Sequence, residues 1–152
     1  MPHLFAYMIV GIIGLFSMIF DPAYAEGSSD DSSEAGSPLY GAAQEAIEKQ
    51  DYAAALPLLQ QVTSQEPQNA DAWNLLGFSN RKLGNMDAAA AAYDTALRIN
   101  PAHLGALEYQ GEMFVQMGQM GNAMVNLTTL ESLCGTCEEM TDLKAAIDKA
   151  GT

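Results

Sequence analysis

Positive charge is scarce in this chain. Six Lys and Arg face 19 Asp and Glu, a formal net charge of −13 over 152 residues. Such a chain is repelled by nucleic acid and by anionic lipid surfaces, so neither is expected as a partner. Histidine is nearly absent: only His3 and His103 occur. With no histidine-rich cluster, no serine–histidine–acid grouping and no phosphate-binding glycine loop, nothing in the sequence points to an active site. No cofactor, no metal site and no enzymatic activity are expected. Cysteine is limited to Cys134 and Cys137, and Trp73 is the single tryptophan. β-Branched residues are few and alanine is abundant, a balance that favours helix.

The one long apolar run is Leu4 to Phe20, uncharged throughout. It is followed by Asp21-Pro22 and then Ala23-Tyr24-Ala25, an A-x-A cleavage pattern. Residues 1–25 are therefore expected to be an export signal, with the mature chain beginning at Glu26. The alternative is a retained membrane anchor, since the run is nearly long enough to span and the residues before it carry no Lys or Arg. No cysteine follows the run, which argues against a lipid anchor. Either way the remainder is expected in an exported, periplasmic space, without membrane insertion of the mature chain. Residues 26–37, rich in Ser, Gly and acid, are expected to be a disordered linker, because they cannot bury enough apolar surface to offset chain entropy.

From there the sequence repeats. Asn100-Pro101 lies 34 residues after Glu66-Pro67, and 34 more lead to Cys134-Gly135. In the middle unit Trp73-x-x-Leu76-Gly77 opens one helix, Leu83 to Asp87 turns the chain, Ala89, Tyr93 and Ala96 line a second helix, and Pro101 closes the unit. Small residues such as Gly77 and Ala89 let two helices approach, and large ones such as Trp73 and Tyr93 fill the space beside them. Pro57 falls within a helix of the first unit, near its start by this reading. A last amphipathic segment, Glu138 to Ala150, carries Met140, Leu143, Ile147 and Ala150 on one stripe. Thr136 and Glu139 have the spacing of a capping box ahead of it.

This pattern of W-x-x-L-G, alanine, aromatic, alanine and proline over 34 residues resembles the tetratricopeptide repeat family. The resemblance implies an all-α, right-handed solenoid of three helix pairs, units of about 36–69, 70–103 and 104–137, closed by a capping helix at 138–150. The segment CGTCEEMTDLKAAI is also similar to the tail of small exported repeat proteins of alphaproteobacteria, which implies a periplasmic setting. Arrays of this kind present a concave surface to a protein or peptide, so the resemblance implies an adaptor or scaffold that binds without catalysis. The first helix of each unit would line the groove, exposing Tyr40, Gln44 and Glu48, then Asn74, Phe78, Arg81 and Lys82, then Glu108, Glu112 and Gln116. Arg81 and Lys82, cations beside Phe78, could hold a carboxylate or simply balance nearby acids. The carboxylate-clamp members of the family spread Lys, Arg and Asn over several units; this chain does not, so binding of chaperone tails is not implied. Self-association through exposed helix faces is left open.

The C-x-x-C pair falls between the third unit and the capping helix. In an oxidising compartment an even cysteine count suggests a disulfide staple worth about 2 kcal/mol. A thiol at a helix N-terminus could instead be reactive, and with Met113, Met117, Met120 and Met124 nearby a copper site is conceivable. Met117 and Met120, however, match Leu83 and Met86 of the middle unit, which read as core. The staple is the expectation; a thiol-redox or copper-handling protein is the alternative.

Overall fold

The computed structural model describes residues 37–151. The export signal and all but the last residue of the linker lie outside them. Seven α-helices follow one another: α1 (Pro38–Glu48), α2 (Tyr52–Gln65), α3 (Ala70–Lys82), α4 (Met86–Ile99), α5 (Leu104–Gln116), α6 (Met120–Cys134) and α7 (Glu138–Ala150). No strand occurs among the described residues. Each odd helix packs on the even helix after it, α3 packs on α1 and α5, and α7 packs on both α5 and α6. The result is an all-α solenoid of three helix pairs with a closing helix.

The turn inside each pair has one geometry, set by the end of its first helix. The amides of Asp51, Asn85 and Gln119 donate to the carbonyls of Ala46, Asn80 and Phe114, a six-residue closure that requires a left-handed residue just before the donor. Gly84 (φ 82°) and Gly118 (φ 71°) supply it without steric cost. In the first pair the same place is held by Gln50 at φ 59°.

Helix starts also keep the 34-residue step. Asn69 caps α3 by accepting from the Ala72 amide at 2.9 Å. His103 caps α5 through Nδ1, accepting from the Ala106 amide at 3.2 Å. Its Nε2 lies 2.9 Å from Asp71 Oδ1 but out of line for a hydrogen bond. Cys137 takes the third place in this series and caps α7 with backbone alone. Its sulfur is bonded instead to Cys134 at the end of α6.

Three expectations are corrected. Thr136 does not make a capping box: it precedes the N-cap, and its amide donates to Cys134 O at 2.8 Å within the turn. Pro57 is the sixth residue of α2, beyond the first turn. The helical ladder has already begun with the Ala55 amide donating to Asp51 O, so the proline removes a bond the helix would otherwise make; it sits on the exposed face. Leu83 and Met117, read as core, are 42% and 40% exposed. They lie at helix ends beside the left-handed residue, where the chain turns away from the array.

The core is built in the seams between helices. Ala43, Ala55, Leu59, Leu76 and Ala92 fill the first part, Ala89, Tyr93 and Met113 the middle, and Leu107, Ala123, Leu127, Leu130, Leu143 and Ile147 the last. Glycine sets the closest approaches. A Cβ on Gly77 would stand 2.7 Å from the Tyr93 ring, and one on Gly111 would stand 2.5 Å from Leu143 Cδ2. Leu143 thus seats α7 directly on α5. A polar chain ties three helices together: Asn126 donates to Leu107 O and to Gln110 Oε1, and Gln110 donates to Asp94 Oδ1 at 2.7 Å. Buried amides of this kind fix register, because a slip would leave them unpaired.

Candidate functional site

The first helix of each pair and the closing helix, α1, α3, α5 and α7, lie side by side and run in the same direction. Residues 34 apart therefore form rows across the concave face. Tyr40, Asn74, Glu108 and Asp142 make one row; Gln44, Phe78, Glu112 and Ala146 the next; Ile47, Arg81, Val115 and Lys149 a third; Glu48, Lys82, Gln116 and Ala150 the last. Every residue expected to line the groove falls in these rows. Extending the same step into α7 would have found Asp142, Ala146 and Lys149, which the sequence reading treated only as part of a cap.

Exposure differs from expectation at three positions. Asn74, Arg81 and Glu108 are 7%, 4% and 8% exposed. Arg81 is covered because its guanidinium lies 5.5 Å from the Phe78 ring centre and 5.7 Å from that of Tyr109, while Nη2 meets Glu112 Oε2 at 2.7 Å. The cation is thus stacked and neutralised within the wall, the structural side of the two readings raised for it. Asn74 sits against the first turn of α5, where its Nδ2 is 3.3 Å from the place a Cβ on Gly105 would take. Glu108 is covered by the seating of α7 on α5. Tyr40, Phe78 and Glu112 are half-buried, and Gln44, Glu48, Lys82 and Gln116 are exposed as expected.

Aromatic rings floor the centre. Tyr52 meets Phe78 edge-on at 5.7 Å, Phe78 meets Tyr109 at 4.8 Å, and Lys82 Nζ stands 5.0 Å over Phe78. Tyr52 and Tyr109 were not singled out in the sequence, because neither shares a row with the tryptophan-based register. Beyond this floor opens a cleft of about 450 Å³. Arg81, Lys82 and Lys149 line it together with Val115, Ala146 and Ala150, and Glu112 and Gln116 complete the wall. Half of the chain's six basic residues therefore face one cleft.

The electrostatics change along the helices. Burial, and then the neighbouring charges of Glu112, Asp142 and Glu139, push the Glu108 carboxyl up to about 8, with Arg81 opposing. The Tyr109 hydroxyl is raised by burial and then by Glu108 and Glu112. Tyr40 is pushed up to about 12, first by burial and then by Asp71.

The cysteine pair lies elsewhere, between α6 and α7, closed as a disulfide. The four methionines considered for copper are not gathered around it. Met113 is fully buried with Ala89 and Tyr93, Met120 packs against the last core seam, and Met117 and Met124 are exposed. Among the described residues no three His, Cys, Asp or Glu side chains converge as a metal's ligands would. No helix among them is long and apolar enough to cross a membrane. A second surface is notable for its lack of charge: α6 carries only Glu131, and Met124, Val125 and Leu133 are 46%, 63% and 45% exposed on it.

A family model described as tetratricopeptide repeat matches residues 40–123. Superkiller complex protein 3 of Homo sapiens is 28% identical over 107 residues, which is 70% of this chain and 6% of that protein. The chain thus spans a small part of that relative's length. Among solved structures, MamA (41-end) from Desulfovibrio magneticus RS-1 is similar with a TM-score of 0.61 at 23% identity, over 62% of this chain and 54% of that one. The Yersinia enterocolitica type III secretion translocator chaperone SycD is similar with a TM-score of 0.67 at 17% identity, over 74% of this chain and 81% of that one. At these identities the likeness is one of fold.

Proposed function

The chain belongs to the tetratricopeptide repeat family, and on that premise we propose that it is an exported, periplasmic adaptor whose concave groove binds a protein or peptide and catalyses nothing. The observation that carries this reading is the cleft between α3, α5 and α7. It pairs an apolar wall of Val115, Ala146 and Ala150 with clustered charge in a chain otherwise poor in cations, beside the aromatic cluster of Tyr52, Phe78 and Tyr109. Few convergent polar groups on an apolar concavity are what a binding site needs to fix a ligand's orientation. The chaperone SycD, similar in fold, lends support by analogy. Export rests on the A-x-A pattern after the apolar run.

Site-specific photo-crosslinking in the native host tests the reading. A photoreactive residue at Lys82 or Gln116 should give a discrete adduct in the periplasmic fraction, and one at Asp87, outside the cleft, should not. Lys82→Glu should weaken the Gln116 adduct. Equal adducts at Asp87, or none at either groove position, would overturn it. Copies of a chain this acidic would meet with least repulsion through the sparsely charged face of α6. If they do, Val125→Asp should lower the molar mass measured by light scattering; an unchanged dimer mass would exclude that face.

A further inference from the structure

The two ends of the groove carry opposite charge. Arg81, Lys82 and Lys149 stand in the last turns of α3 and α7, whereas Asp71 and Glu139 stand in the first turns of the same helices. Glu108 and Asp142 extend the acidic end inward along one row. Glu108 is buried there with no hydrogen bond or ion pair from any described residue. Arg81, the one cation among the described residues whose field reaches it, is held 2.7 Å from Glu112. In the same row, one helix away, Asn74 is also buried and its Oδ1 accepts no hydrogen bond. Among the described residues no donor is therefore paired with either of these two acceptors.

Resting on the groove reading above, we propose that the Glu108 end of the groove receives a lysine or arginine side chain of the partner. A buried carboxylate costs several kcal/mol unless it is neutralised. A proton does this in the free protein. An ammonium or guanidinium does it better, because it brings three to five donors to acceptors left without one. A long side chain also suits a largely covered acid, since its apolar stem can lie along the groove wall while its charged head reaches the carboxylate. A metal ion suits it less, because the acidic side chains do not converge on one point. The chain's charge of −13 favours approach of a basic segment. Binding displaces the Glu108 proton, so affinity should rise with pH up to about 8. The groups facing Glu108 are Arg81 from α3, Tyr109 and Glu112 from α5, and Glu139 and Asp142 from α7.

The test is an NMR titration of the full chain with a blocked peptide of alternating glycine and arginine, set against its glycine–glutamate counterpart. The basic peptide should shift the amides of Glu108, Glu139 and Asp142 and lower the Glu108 carboxyl midpoint by roughly a unit. Glu108→Gln should raise its Kd about fivefold and flatten the pH dependence, whereas Asp87→Asn, the same carboxylate-to-amide exchange on another face, should leave Kd within about twofold. Equal losses in the two variants would mean general charge attraction and overturn the proposal. Shifts only at Arg81 and Lys82, driven by the acidic peptide, would overturn it and leave the groove reading standing. Shifts from neither peptide would also overturn it, and the crosslinking experiment would then decide the groove reading separately.

Discussion

Gly77→Ala should destabilise this protein, although alanine is the better helix former. In the interior of α3 the exchange gains up to about 1 kcal/mol from helix propensity. Against that, the new methyl would stand 2.7 Å from Tyr93 Cδ1 and Cε1 and 3.0 Å from Cγ. Carbon atoms rest at about 3.5–4.0 Å, so the ring or the helix must move by roughly 1 Å. Tyr93 has no room to yield: it is fully buried with Ala89 and Met113 packed beside it. A forced methyl in such a place costs about 3 kcal/mol, the upper end of the overpacking range, for a net loss of about 2 kcal/mol. Urea unfolding followed by Trp73 fluorescence reads this directly, since the lone tryptophan lies one turn before Gly77 in α3. The sharper version is a cycle with Tyr93→Leu. Once the ring is gone, Gly77→Ala should change sign and stabilise by up to about 1 kcal/mol. Equal destabilisation in both backgrounds, or a gain in the wild type, would refute the argument that the ring sets the approach of α3 and α4.

Other consequences can be measured on the same samples. Arg81→Ala should cost about 3 kcal/mol, because it uncovers the Phe78 and Tyr109 rings and strands Glu112, and Glu112→Gln should restore part of that in the double variant. The raised Glu108 carboxyl holds its proton in the folded state after the unfolded chain has released it. Stability should therefore fall as pH rises from about 4.5 towards 8, by at most about 1.4 kcal/mol per unit, and Glu108→Gln should remove that slope in urea titrations. Replacing Cys134 and Cys137 together by serine should cost about 2 kcal/mol by the loop-closure argument while groove crosslinking persists; in the parent, intact mass should show alkylation only after reduction. Gln50→Gly should stabilise by up to about 1 kcal/mol, since Gln50 holds a left-handed conformation that glycine adopts freely.

The helix pairs were legible because the repeat writes the same instruction three times. Trp73, Gly77, Tyr93 and Pro101 each sit where tight packing or a helix stop demands that residue type, and the 34-residue step carries the register to units whose own residues are weaker. Burial in the groove was not legible in the same way. Arg81 and Glu108 are charged residues on a face expected to be wet, and only the stacking of rings from two helices and the seating of α7 on Gly111 cover them. Nothing in the sequence marked His103, which follows the Pro101 turn; its role as the cap of α5 becomes visible only once Asn69 and Cys137 are seen to hold the same place. The capping box at Thr136 failed for the converse reason. A local pattern four residues long was overruled by the period of the whole array.

The charge difference along the groove has a consequence for reading direction. The four lining helices run in parallel, so the floor of the groove has a polarity that no rotation of the molecule removes. A bound strand laid along it meets acid first and base last, or the reverse, and these two placements differ in energy even when every side chain could fit both ways. A segment bound in the proposed groove would therefore take one orientation, its basic residue toward Glu108 and its acidic residue toward Lys82, and a retro-sequence peptide of identical composition would have to lie with its backbone reversed.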